Sequence, residues 1–293
     1  MPEEAMLWEP KRRIEAAYER SLRSIAADII LRVGETTEID AIKRTLRILA
    51  HSPIWQEHAE TAALKMVTQL FDDQGRTWRE AAKYNSRGAD IYRALRQELK
   101  GHTGAALMQQ VMRNAELIKT LPDAIANDVT RHVACETLRG RRASDIAREI
   151  ALKFPEQTKA RAQLIARTEV SKTQMGLLEA RCRSIGRSWY EWRATGGGRG
   201  DGRTRKSHRG MSGVLVHWDD PPAPEDLFPT VGKNGKRYKN TLGHYHAGCC
   251  PNCRCYARPV IDLDMFDWPM RIYRSGSIQR VSRKTFAKKF MSS

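Results

Sequence analysis

Gly186-Arg-Ser-Trp-Tyr-Glu-Trp-Arg193 is where the texture of this sequence changes. Trp189, Glu191 and Arg193 alternate with Tyr190 and Trp192, an aromatic-rich period of two that predicts a β-strand. Before Gly186 the apolar residues step by three and four instead. Residues 156–185 carry Leu164, Ile165, Thr168, Met175, Leu178, Cys182 and Ile185 along a long helix, and in residues 11–32 Ile14, Tyr18, Leu22, Ile25 and Ile29 share one helical face. Thr37, three before Asp40, predicts a capped helix carrying Ile39, Ile42, Leu46 and Leu49. Ser52-Pro53 opens another with Ile54, Ala62, Met66 and Leu70, because proline is tolerated in a first helical turn. Further helices are expected at 88–100, 104–119 and 123–139, with a short one from Ser144 to Ile150. Beyond the strand come Gly213-Val-Leu-Val-His-Trp218, the Pro221-Pro-Ala-Pro224 bend and Lys233-Asn-Gly-Lys236, which predicts a tight hairpin turn. The expected fold class is α+β: a helical N-terminal half followed by a small helix-plus-β-sheet module with a Cys/His cluster. The expected organisation is a helical region over 1–155, an α+β module over 156–262 and a basic C-terminal tail over 263–293.

Composition narrows the function classes. The chain has 293 residues, 51 Lys+Arg against 34 Asp+Glu and a net charge of +17, with 41% hydrophobic residues, enough to bury a core of one or two domains. With 20 Gly and 12 Pro it is neither collagen-like nor a disordered chain. Its longest apolar candidate, Ile25 to Val33, is interrupted by Asp28 and Arg32, so no membrane span is expected. Met1 to Pro10 is acidic and lacks the apolar core of a secretory signal. A reducing compartment is expected, where the six cysteines serve better as thiols than as disulfides.

Two clusters carry the chemistry: Asp201-Gly-Arg-Thr-Arg-Lys-Ser-His208, and His244-Tyr-His-Ala-Gly-Cys-Cys-Pro-Asn-Cys-Arg-Cys255. Cys250 and Cys253 have the spacing of a metal knuckle, which lets two thiolates converge on one tetrahedral ion, and Cys255, His208 or His246 could complete a zinc site. A second CxxC pair is missing, so a reduced, buried cluster that fixes a loop remains an alternative, as does a disulfide. Asp201, Arg203, Arg205 and Asn252 read as a structural motif in which Asp201 orients an arginine. Asp201 with His208 could instead act as a base in a metal-dependent hydrolase or nuclease. His51, His58, His102 and His132 have no ligand spacing, and Cys135 reads as a small hydrophobe on a helix face.

These residues also carry a family resemblance. The order Arg161-Ala-Gln-Leu-Ile-Ala-Arg-Thr-Glu169, a Trp-containing strand, Asp201-x-Arg-Thr-Arg-x-x-His208, a glycine, a Pro-rich bend and Pro251-Asn-Cys-Arg-Cys255 closing on Pro259 resembles the phage Mu F-like head morphogenesis family over about residues 140–262. The resemblance implies a minor head protein of a tailed phage, associated with the portal and major capsid proteins. It also implies a place in the head interior of the virion, reached from the host cytoplasm during assembly. The chain departs from the pattern in its triple glycine before Asp201 and in the Cys249-Cys250 pair.

Charge adds a partner. Residues 270–293 hold Arg271, Arg274, Arg280, Arg283, Lys284, Lys288 and Lys289 and no acid, and residues 193–210 hold six basic residues against Asp201. Such segments bind double-stranded DNA nonspecifically, because Lys and Arg release counterions from phosphates without reading bases. A zinc-knuckle DNA-binding module acting in the host is a third reading, beside the structural head protein and the hydrolase.

Overall fold

The computed structural model describes residues 7–34, 36–196, 200–229 and 242–290; the expected Lys233–Lys236 turn lies outside them. In chain order the helices are α1 (Arg12–Val33), α2 (Ile39–Ala50), α3 (Pro53–Lys83), α4 (Gly88–Gln97), α5 (His102–Lys119), α6 (Leu121–Leu138), α7 (Ala143–Ser184), α8 (Lys206–Met211), α9 (Pro224–Leu227) and α10 (Arg283–Phe290). The strands are β1 (Trp189–Arg193), β2 (Val214–His217), β3 (Tyr256–Pro259), β4 (Met270–Arg274) and β5 (Ser277–Val281). The chain divides into two compact units. One comprises residues 12–69 and 108–170, the other 1–11, 70–107 and 171–293.

The first unit is helical. Ile14, Tyr18, Leu22, Ile25 and Ile29, the face expected from their spacing, are all buried along α1, and α2 packs closely along α6. The Arg161–Glu169 motif ties this unit together. Arg161 pairs with Asp128 of α6, Gln163 donates to Glu19 of α1 (3.0 Å), and Glu169, itself buried, holds Arg113 of α5 (2.9 Å). Two expectations are corrected here. Thr37 does not cap α2: Glu38 occupies the cap position without a side-chain bond, and its amide is taken by the Thr36 hydroxyl (3.1 Å), a local turn that competes with the capping box. The helices expected at 144–150 and 156–185 are one, with Pro155 inside α7. An interior proline costs about 3 kcal/mol. Ile146, Ile150, Phe154, Thr158, Ala162, Ala166 and Val170, four residues apart and all buried, outweigh it by continuing one packed face through the break.

The second unit is built on a five-stranded sheet of order β3-β1-β2-β4-β5, antiparallel except for the parallel β2–β4 pair. Both faces are covered. Tyr190, Trp192, Val214 and Val216 pack with Trp78, Met175, Leu178 and Cys182 in the larger core, while Trp189, Leu215, Ile272 and Phe286 form a second core on the opposite face. The larger core is braced by Arg181 of α7, 2% exposed, whose guanidinium meets Glu98, Gln74 and the Phe71 carbonyl.

Residues 270–290 are not a tail. They form β4, β5 and α10, and β4 pairs within the sheet. Met270 and Ile272 supply a period-two apolar set whose strand character is obscured in the sequence by Arg271 and Arg274. Ser275 and Gly276, at φ 46° and 87°, close the β4–β5 hairpin in the two-residue turn that matches strand twist. Cys135 is also corrected: it is exposed on α6 rather than packed.

Candidate metal centre

Two loops and one short helix bring the chemistry of the two sequence clusters to a single buried point. Cys250-Pro251-Asn252-Cys253 is a tight turn in which Cys253 N–H donates to the Cys250 carbonyl (3.1 Å). Proline at its second position and Asn252 at φ 57° in its third are what a type II turn requires, and the turn swings both sulfurs to one side. Gly248 lets this loop close, since a Cβ there would lie 2.7 Å from the Cys255 carbonyl oxygen. The Ser171 hydroxyl of α7 donates to the Cys253 carbonyl (3.1 Å) and pins the loop to the helix.

Opposite the turn stands His208 on α8, 1% exposed. One of its nitrogens and the sulfurs of Cys250 and Cys253 lie within 4.8 Å of one another, all three residues buried. Its Nδ1 is 3.3 Å from Cys253 Sγ and 3.5 Å from Cys255 Sγ, and its Nε2 is 3.9 Å from Cys250 Sγ. With Zn–S near 2.3 Å and Zn–N near 2.0 Å, a tetrahedral site has N···S edges of about 3.5 Å. The cluster could therefore hold a metal ion.

The surrounding donors favour anionic sulfur. Arg205 directs Nη1 at Cys250 Sγ (3.2 Å) and Nη2 at the Pro251 carbonyl (3.0 Å), and the Cys255 N–H points at Cys253 Sγ (3.4 Å). Hydrogen bonds also select the imidazole tautomer. Tyr245 donates its hydroxyl proton to Glu225 (2.8 Å), so its oxygen accepts from His208 Nε2–H (2.9 Å) and the Nδ1 lone pair is left facing the sulfurs. Burial opposes a charge on His208, yet the hydrogen bonds its charged ring donates to Cys250 and Cys253 more than offset it and raise its pKa to about 9. The Cys250 thiol is pushed up by its hydrogen bond with Cys253 and by burial. Both groups hold protons that a bound cation would displace.

Of the ligands expected from sequence, His208, Cys250 and Cys253 converge, Cys255 approaches His208 from beside them, and His246 does not join. Its Nδ1 meets the Tyr190 hydroxyl (3.1 Å) and its ring packs on Trp218, while the preceding residue, Tyr245, meets His208. Asp201 does not pair with an arginine side chain as expected. It accepts from the Arg203 backbone N–H (3.1 Å) and the Thr204 hydroxyl (2.9 Å), and the Thr204 bond holds its carboxyl below the usual range. Arg203 is exposed, Arg205 serves the cysteine turn and Asn252 shapes it. Among the basic residues, Arg271 is half-buried on the carbonyls of Gly210 and Ser212, and Arg283 pairs with Asp264. Arg274, Arg280, Lys284, Lys288 and Lys289 are exposed. Tyr245 and Glu225 escaped the sequence reading, since neither stands at a ligand spacing from His208.

Residues 123–258 match the family described as Phage Mu protein F like protein. Over 149 residues the chain is 30% identical to an uncharacterized protein of Haemophilus influenzae, a match covering 51% of this chain and 28% of that protein. No solved structure matches the chain. Among the described residues no helix is long and apolar enough to cross a membrane.

Proposed function

We propose that a chain carrying this Mu F-like region is a minor head protein of a tailed phage. In this reading it is bound at the portal or inner capsid, where its basic surface contacts packaged double-stranded DNA without reading sequence. The observation that carries the reading is the match over 123–258, which takes in both the Arg161–Glu169 and Pro251–Cys255 motifs. A net charge of +17 suits a protein that shares a compartment with concentrated phosphate. The direct test is expression during phage assembly, followed by isolation of heads: the protein should sediment with them and with the portal. Recovery only in the unassembled fraction would refute the assignment.

The cluster fits zinc, with His208, Cys250 and Cys253 as ligands and Cys255, 3.5 Å from His208 Nδ1, as the candidate fourth. Zinc bound there would act as a structural staple between α8 and the cysteine turn. His208, Cys250 and Cys253 are all buried, which suits a structural zinc better than a catalytic zinc open to substrate. Purified protein should contain about one zinc per chain, and Cys253→Ser should lose it while Cys135→Ser keeps it. A metal-free chain whose melting is insensitive to chelator would refute the staple.

A further inference from the structure

The two basic stretches of the sequence meet in the fold. Arg271 of β4 reaches across 61 residues of chain to donate to the Gly210 carbonyl at the end of α8 (3.1 Å) and also to the Ser212 carbonyl. Directly opposite Arg271 in the β4–β5 register stands Arg280. Facing like charges on neighbouring strands are unfavourable. Burial and then the neighbouring Arg280 lower the pKa of Arg271. Its hydrogen bonds are to carbonyls, so its charge is not cancelled there. Arg280 is exposed and, among the described residues, has no ion pair. The same holds for Arg209, the residue before Gly210, and for Lys206 one turn earlier on α8. Glu191, whose carboxylate reaches toward Gly213 beside Arg271, is already committed to Arg193 (3.1 Å) and Arg258 (3.4 Å).

We propose that the exposed side of α8 together with the β4–β5 hairpin, through Lys206, Arg209 and Arg280 around the half-buried Arg271, is the surface that grips the phosphodiester backbone of DNA. This rests on the DNA-contact reading above and narrows it to one face. Helix α8 presents His208 and Met211 inward and Lys206 and Arg209 outward, so the cysteine cluster holds the basic residues from beneath. Flexible lysines on a surface pay a large ordering entropy when they bind, but a short helix pinned at both ends presents its charges with less to lose. Phosphate is the partner that these groups fit, because uncancelled charges kept close on rigid elements gain most from a polyanion with closely spaced charges.

The test is a titration of a labelled duplex by fluorescence anisotropy at several salt concentrations. It compares the full chain with Arg209→Gln/Arg280→Gln and with Lys284→Gln/Lys288→Gln on α10. Both pairs are exposed, so thermal melting should match the parent. For the arginine pair the slope of log K against log salt should become shallower by about 1.8, at about 0.9 per lost phosphate contact. Affinity at about 0.15 M salt should fall on the order of 30-fold. The α10 pair should change the slope by less. Parent-like binding by the arginine pair, beside a parent chain that binds, would overturn the assignment of this face while leaving DNA contact standing. A parent chain that shows no salt-dependent binding would remove the DNA reading itself. Equal competition by polyglutamate at the same charge concentration would overturn phosphodiester as the partner.

Discussion

Arg181→Met isolates the buried ion pair that braces the larger core of the sheet unit. The guanidinium lies in the core with its side chain 3% exposed and Glu98 at 10%. It donates to Glu98 twice (2.8 and 3.3 Å), to Gln74 Oε1 (3.0 Å) and to the Phe71 carbonyl (3.0 Å), and stacks 4.4 Å over the Phe71 ring. Methionine restores much of the volume but leaves a carboxylate and two oxygens without their donor. Removing one partner of a buried pair costs about 3–5 kcal/mol, most of it the penalty on the charge left behind. For a unit of this size each kcal/mol lowers Tm by about 2–4 °C, so a fall of roughly 6–20 °C is expected. Tryptophan fluorescence is a suitable probe, because all the tryptophans except Trp55 belong to the sheet unit. Adding Glu98→Leu to Arg181→Met should recover at least about 1 kcal/mol, since the orphaned charge is gone. A single-variant loss below about 1 kcal/mol, with no recovery in the double variant, would refute the claim that this pair carries the core.

Tyr245→Phe removes the hydroxyl between His208 and Glu225, so metal affinity measured by competition with a coloured chelator should fall about 10–100-fold with the fold intact. In metal-free protein the raised pKa of His208 makes its charged form favour the folded state; that stability is full below about pH 6.5 and lost as pH rises through about 9. Metal binding has the opposite sign, because the proton must leave, so the drop in Tm caused by chelator should grow from pH 6.5 to 9. Asn252→Ala should cost about 1 kcal/mol in urea unfolding, because alanine at φ 57° is strained, while Asn252→Gly should cost less. Asp201→Asn should cost about 1 kcal/mol or less, since the amide oxygen still accepts from Arg203 N–H and Thr204.

Local pattern alone determined most of the elements. The buried face of α1, the strand at Trp189–Arg193, the proline start of α3 and the Cys250–Cys253 turn all depend on neighbours within a few residues, and periodicity or turn chemistry reports such neighbours directly. Ligand types at knuckle spacing were legible for the same reason. What only the tertiary structure decided depends on partners far along the chain. Pro155 stays helical because seven buried positions on α7 pack across it. The basic C-terminal segment enters the sheet because β4 finds β2, and no local signal announces a parallel pairing. His208 rather than His246 meets the cysteines because His246 is taken up by Tyr190 and Trp218, partners far from it along the chain. Tyr245 and Glu225 join the centre through contacts spanning 37 and 20 residues, separations at which sequence spacing carries no geometry.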